Sequence, residues 1–187
     1  MLKRTLATII QQVSDTFPVL MVTGPRQVGK TTLLENCAKP GRNYVTLDDL
    51  DQRELAKTDP ALFLQIHKTP LIIDEVQYAP ELFSYIKIAV DKERKNNTNG
   101  MYWLTGSQKF HLMKGITESL AGRVAIVDLL GLSQGELTNR AKILPFIPTI
   151  WWINAARKNI KQSLSLNEIY QQIWRGSFPK VNVDKKK

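Results

Sequence analysis

Nothing constrains the fold of this 187-residue chain as tightly as the run Gly24-Pro25-Arg26-Gln27-Val28-Gly29-Lys30-Thr31, which fills every fixed position of the pattern GxxxxGK[ST]. Just before it, Pro18 opens the continuous apolar run Val19-Leu20-Met21-Val22, the mark of a strand buried on both faces. Just after it, a helical stretch runs to about Ala38. A buried strand, a glycine turn and a helix start in that order form a cradle for phosphates. The glycines allow positive φ and a close backbone approach to the anion. Successive N–H groups and the helix start aim positive dipole ends at it. Lys30 supplies a point charge for the β- and γ-phosphates, and the Thr31 hydroxyl is a ligand for Mg²⁺. The expected nucleotide-binding set is Gly24, Pro25, Arg26, Gln27, Val28, Gly29, Lys30, Thr31 and Thr32.

A second signal lies downstream. Leu71-Ile72-Ile73 reads as a buried strand and ends in Asp74-Glu75. In parallel α/β sheets ligands sit at the carboxyl ends of the strands, which puts Asp74 beside the loop. One carboxylate suits the water shell of Mg²⁺, an ion that takes few protein ligands. The other suits a base for an attacking water. That choice favours hydrolysis over a small-molecule kinase, which must position an acceptor hydroxyl instead. Further along, Met101–Leu104 reads as a strand followed by Thr105, Gly106 and Ser107. Thr105 or Ser107, with Ser107 preferred, is a candidate for sensing the γ-phosphate or the attacking water. Arg123 precedes the strand Val124–Leu130, a place from which a guanidinium reaches a phosphate in cis or across a subunit boundary.

The remaining periodicities give an amphipathic helix over Leu2–Val13, a strand over Asn43–Leu47, and the acidic cluster Asp48, Asp49 and Asp51. A helix begins at Asp59-Pro60, with proline at its first position, and another covers Glu81–Lys95. Ser133 with Glu136, and Ser165 with Glu168, match the capping box. Buried strands alternating with helices predict a parallel sheet with crossover helices, here five-stranded. The βα rhythm stops near residues 140–150, where Pro145 and Pro148 break the chain. The expected organisation is therefore a core over 1–140 and a small helical appendage over 141–187.

Composition narrows the chemistry. With 43% apolar and 23% charged residues the chain is of ordinary globular type. A single cysteine, Cys37, excludes an internal disulfide framework and a multi-thiolate metal site, and suits a reducing cytosol. His67 and His111 stand far apart, without metal-ligand spacing. The longest apolar stretch, Ile143–Ile153, has 11 residues and two prolines, too short and broken to span a bilayer. With no secretory signal visible, a cytoplasmic protein is expected, with no membrane partner. The net charge is +9, unevenly placed. Residues 1–139 hold 16 basic and 15 acidic residues, a balance of +1, whereas 140–187 hold 10 and 2, a balance of +8. A basic segment of that kind is either a solvated tail, to which Lys185, Lys186 and Lys187 contribute, or a surface for nucleic acid.

Several blocks together carry a resemblance: GPRQVGKTTLL at 24–34, YVTLDDLDQRELAKTDPALFL at 44–64, LIIDEVQYAPELF at 71–83 and LTGSQKFHLMKGITESLAGRVAIVDLLGLSQGEL at 104–137, with WRGSFPKV at 174–181 more weakly. The chain resembles the AAA+ superfamily of P-loop NTPases, and more narrowly a group of prokaryotic predicted ATPases whose AAA domain precedes a C-terminal domain of unknown function. By that resemblance Lys30 and Thr31 are the Walker A residues, Asp74 and Glu75 the Walker B pair, and Ser107 or Thr105 the first sensor. Arg123 is similar to the arginine of the group's AGR block, a candidate finger or sensor. Gln77 and the Asp48-Asp49 pair also match the group's pattern, though no chemistry follows from their types beyond capping helices. Members of the group continue beyond the RGSFPKV block into a long C-terminal half, so the resemblance implies that this chain stops short of it. The implied function is Mg²⁺-dependent ATP hydrolysis coupled to a shape change in an attached or partner domain, with a homo-oligomer as one possible assembly. The rival readings are a nucleotide-dependent switch or nucleic-acid-binding module that hardly turns ATP over, and a P-loop kinase. Trp151 and Trp152 are read as packing or interface residues.

Overall fold

The central strand of the molecule is β1 (Val19–Thr23), all five of whose residues are buried. Its side chains alternate between two cores. Val19 and Met21 join a cluster on one face of the sheet, and Leu20 and Val22 a separate cluster on the other. Full burial of each such side chain contributes about 1.5–3 kcal/mol. A strand apolar on both sides therefore settles in the middle of a sheet with helices above and below.

The computed structural model describes residues 2–107, 115–139, 147–158 and 164–183. They fall into two compact units, Leu6–Gly131, and Met1–Thr5 with Leu132–Lys187. The larger unit holds α1 (Leu6–Thr16), β1, α2 (Lys30–Cys37), β2 (Asn43–Thr46), α3 (Leu50–Thr58), α4 (Pro60–Ile66) and β3 (Leu71–Asp74). It continues with α5 (Leu82–Glu93), β4 (Tyr102–Gly106), a helical turn α6 over 115–119, and β5 (Val124–Asp128). The five strands are all parallel in the order β2-β3-β4-β1-β5. One core takes Ala56, Phe63, Phe83 and Ile86 from α3, α4 and α5, the other Ile10, Leu33 and Leu34 from α1 and α2. This is the expected α/β P-loop NTPase architecture.

Register aligns the carboxyl ends. Asp74 of β3 lies opposite Thr46 of β2, and Thr23 of β1 lies opposite both Gly106 of β4 and Asp128 of β5. The carboxyl ends of all five strands therefore share the edge from which the loop leaves β1.

Three local expectations need correction. The first helix runs over Leu6–Thr16 rather than Leu2–Val13, because Arg4 and the Thr5 N–H are both bound by Glu136 in the smaller unit. The fourth strand extends to Gly106, so Thr105 is a buried strand residue and not part of a following loop. The acidic cluster opens an unforeseen helix, α3. Asp49 is its N-cap, accepting from the N–H groups of Asp51 and Gln52, and Asp48 pairs with Arg53 at 3.9 Å.

The smaller unit contains α7 (Gln134–Leu137), α8 (Ile150–Lys158), α9 (Leu166–Arg175) and α10 (Pro179–Val183). Both predicted capping boxes form, at Ser133 with Glu136 and at Ser165 with Glu168. Trp151 is exposed on α8 and Trp152 half-buried. Lys185, Lys186 and Lys187, and the start of the apolar stretch at 143–146, lie outside the described residues, as does His111. No helix among the described residues is long and apolar enough to cross a membrane.

Candidate functional site

The loop between β1 and α2 is shaped by its glycines. Gly24 has φ 142, and a Cβ there would lie 2.1 Å from the carbonyl oxygen of Leu129, so no other residue fits. Gly29, at φ 89 and ψ 36, is the left-handed residue that turns the chain into α2. Gln27 also takes a positive φ, 64°. Pro25, Arg26 and Gln27 are exposed along the loop, whereas Val28 is buried beneath it in the core shared with Leu33 and Leu34. Lys30 is the first residue of α2 and only 5% exposed. Its ammonium donates to the carbonyls of Gly24 at 3.1 Å and Pro25 at 3.0 Å. Burial pushes its pKa down from the ordinary 10.5, while Glu75 and then Asp74 oppose that fall. Thr32 stands on the exposed side of α2.

Thr31, one residue into the helix, turns its hydroxyl to Asp74 and lies 3.0 Å from each carboxylate oxygen. Asp74 is 6% exposed at the end of β3 and accepts from two further hydroxyls. Thr105 donates to its Oδ1 from β4, and Tyr44 to its Oδ2 at 3.1 Å from β2. The Tyr44 phenol is pushed up to about 12 by its burial and by the neighbouring Asp74 charge. Three hydroxyls from three elements thus converge on one buried carboxylate, which fixes its orientation.

Glu75 follows in the left-handed conformation, φ 55 and ψ 46. Its N–H donates to Thr105 Oγ1 at 3.1 Å, so one threonine steadies both acidic residues. Its carboxylate accepts from the Ser107 hydroxyl at 3.3 Å and from the Gln77 amide. On the other side of the loop, Thr23 donates to Asp128 at the end of β5.

The structure therefore gathers Lys30, Thr31, Asp74, Glu75, Thr105 and Ser107 at one end of the sheet. Arg123 stands apart. It precedes β5, and its carbonyl accepts from Val19 N at the opposite, amino end of β1. Its guanidinium forms a two-pronged pair with Asp91 of α5, at 2.7 and 3.0 Å. That pairing raises the Arg123 pKa and lowers that of Asp91.

Two side chains that touch the acidic pair were not read as site residues from the sequence. Tyr44 gives no local signal, since its contact follows only from β2 lying beside β3. Gln77 matched a pattern without chemistry, and its contact depends on the turn after Glu75.

The arrangement fits a hydrated divalent cation. Thr31 Oγ1 and the two Asp74 oxygens are hard oxygen donors in mutual contact and close to Lys30. Among the described residues no group of three His, Cys, Asp or Glu side chains forms a protein cage. Mg²⁺ needs none, because it keeps several waters and takes substrate phosphates as ligands.

Comparison with known proteins agrees with this geometry. Residues 16–138 match a protein family described as an AAA domain. Uncharacterized proteins of Mycobacterium tuberculosis and Mycobacterium bovis are each 33% identical over 141 residues, 74% of this chain and 31% of theirs. The chain thus spans about a third of the length of the curated relatives it matches. Among solved structures, the Walker-type ATPase of Pyrococcus abyssi superposes with a TM-score of 0.57 and 17% identity, covering 95% of this chain and 64% of that one. AMPPCP-bound DnaA from Aquifex aeolicus gives 0.50 and 13%, covering 96% and 57%. At these identities the likeness is one of fold.

Proposed function

The chain belongs to the AAA domain family, and from that premise we propose that it binds ATP with Mg²⁺ and hydrolyses it to ADP and phosphate. The observation that carries this reading is the convergence of Lys30, Thr31, Asp74 and Glu75 at the carboxyl edge of the sheet. The loop N–H groups and Lys30 hold the phosphates, and Lys30 exchanges its two carbonyl partners for phosphate oxygens. Thr31 and Asp74 would hold Mg²⁺, which when bound would neutralise charge on the phosphates. Glu75 orients the attacking water and accepts its proton. A neighbouring carboxylate locked by three hydroxyls leaves Glu75 as the acidic side chain available for that step.

Arg123 lies at the wrong end of the sheet for its own nucleotide. Its placement supports action on the nucleotide of a neighbouring copy, and hence a homo-oligomer in which sites are shared. The use of the ATP cycle to move an attached or partner domain belongs to the same proposal, as does a cytoplasmic setting, which the free thiol of Cys37 suits. Nothing in the described geometry favours a kinase acceptor site, and the second acidic residue favours water.

Glu75→Gln tests the reading. The amide keeps the shape of the carboxylate and removes the base, so ATP affinity by calorimetry stays within about twofold while steady-state phosphate release falls about 10²–10⁴-fold. Phosphate release at the parental rate would show that Glu75 is not the base.

A further inference from the structure

Gln77 stands two residues beyond Glu75, in a 3₁₀ turn over Val76–Tyr78. Its amide nitrogen donates to Glu75 Oε2. The Ser107 hydroxyl donates to that same oxygen at 3.3 Å, from the residue that follows β4. One oxygen of the carboxylate is thus gripped by donors from two different elements. A carboxylate offers about four lone-pair sites on its two oxygens, so this grip leaves the other oxygen to accept from a third group.

The Gln77 amide is committed to this contact. Its own Oε1 is buried with no hydrogen-bond partner among the described residues. A glutamine serving only the fold would satisfy both ends, because a buried unpaired oxygen is unfavourable. Turning the amide over would set acceptor against acceptor at Glu75. The main chain is fixed as well, by the bond from Glu75 N to Thr105 and by the left-handed φ of 55°. Held this way, the Glu75 charge is the largest of those that offset the burial of Lys30.

We propose that Gln77 is a positioning residue for the hydrolytic step: with Ser107 it anchors one oxygen of Glu75 and leaves the other aimed at the water that attacks the γ-phosphoryl group. The proposal rests on Glu75 being the base, and it adds the element that sets where the base points. A misplacement of about 1 Å at a reacting centre lowers rates about 10²-fold. Loss of the anchor therefore lowers kcat by roughly 10- to 100-fold and leaves nucleotide affinity alone, because the Gln77 amide bonds to Glu75 and Ser107 and not to the phosphate loop among the described residues.

The test uses the full chain, with ATP turnover and calorimetric ATP binding measured on Gln77→Met, Glu75→Gln and the double variant. Gln77→Met keeps the length of the side chain and removes the donor. Its kcat should fall in the stated range with KM and affinity within about twofold of the parent. In the Glu75→Gln background the same change should lower turnover no further, because the group it positions is gone. Gln77→Glu, which keeps the shape and puts an acceptor beside Glu75, should match Gln77→Met, and it serves if the methionine variant does not fold. Parental kcat in a folded Gln77 variant, or a higher one, overturns the proposal, and so does an equal loss in both backgrounds, which would mark a structural role. Parental turnover in Glu75→Gln overturns the base assignment and this proposal together. Lost turnover in Glu75→Gln with parental turnover in Gln77→Met overturns this proposal alone.

Discussion

Thr105→Val removes one hydroxyl from the centre of the site and is the sharpest probe of how the acidic pair is held. Thr105 is fully buried in β4, donates to Asp74 Oδ1 and accepts from Glu75 N at 3.1 Å. Valine preserves the branched shape, so the substitution opens no large cavity, yet it faces both polar partners with a methyl group. Asp74 keeps its bonds from Thr31 and Tyr44 but loses a charge-assisted donor, which contributes about 1.5–3 kcal/mol. The Glu75 N–H loses its acceptor, which costs about 1–3 kcal/mol where water does not replace it. The sum is about 2.5–6 kcal/mol before relaxation, a drop in melting temperature of at most roughly 5–24 °C for a chain of this size. Urea unfolding followed by far-ultraviolet circular dichroism measures it, with Thr105→Ser as the control. The serine keeps the hydroxyl and should lose only about 1 kcal/mol for its missing methyl. If the valine and serine variants unfold within about 1 kcal/mol of each other, the hydroxyl does not bridge the two acids and the reasoning fails.

Lys30→Ala removes the buried ammonium that we propose meets the phosphates and should weaken ATP binding about 10- to 150-fold, as one charge-assisted contact is worth about 1.5–3 kcal/mol. Near-parental affinity by calorimetry would place the triphosphate elsewhere. For Arg123, the specific ATPase rate should rise with protein concentration, and mixing inactive Arg123→Ala with inactive Lys30→Ala should restore activity. A rate independent of concentration, with no rescue on mixing, leaves Arg123 paired to Asp91 as a surface residue. Glu136 supplies a pH dependence. Burial raises its pKa, but the N–H groups of Ser133 and Thr5, with Arg4, outweigh burial and hold it below the ordinary 4.5. Its contribution to stability is therefore complete above about pH 4.5 and is lost as pH falls through the lower folded value. Thermal melts between about pH 6 and 3 should show Glu136→Gln less acid-sensitive than the parent, and an unchanged acid limb would contradict the assignment.

The parts of the fold that were legible share one property, namely that local chemistry and tertiary demand coincide. Val19–Val22 has to be buried on both faces, and the loop at 24–31 is tolerated only where glycine conformations are needed, so strand, loop and helix could be placed from their own residues. The two capping boxes are likewise local bonds written into the sequence. Helix α3 was not placed because Leu50–Thr58 is mostly polar and shows little apolar periodicity, although the Asp48-Asp49 pair reads as capping helices and Asp49 is its N-cap. The shortened first helix was not legible, since its start is decided by Glu136, more than a hundred residues away. Tyr44 and Gln77 belong to the same class. Their contacts with Asp74 and Glu75 come from strand order and from a left-handed residue, and neither is marked by composition or spacing.

The order of the strands also governs how the chain comes to be made. Thr23 ends the central strand, and its partner Asp128 on β5 lies 105 residues further along. The other flank of β1 is filled by β4, which begins at Tyr102. At a synthesis rate of 5–20 residues per second, β1 and the loop that follows it wait roughly 5–20 s before both neighbours exist. Through that interval the fully buried central strand has no lasting place to go. Pairing across such separations is intrinsically slow, so the nucleotide loop, which is made before either neighbour of β1, takes its final shape only after both. Chains interrupted after Thr31 and before β4 is complete at Gly106 carry the whole motif with neither neighbour of β1 to hold it, and a chaperone or rapid proteolysis is their expected fate.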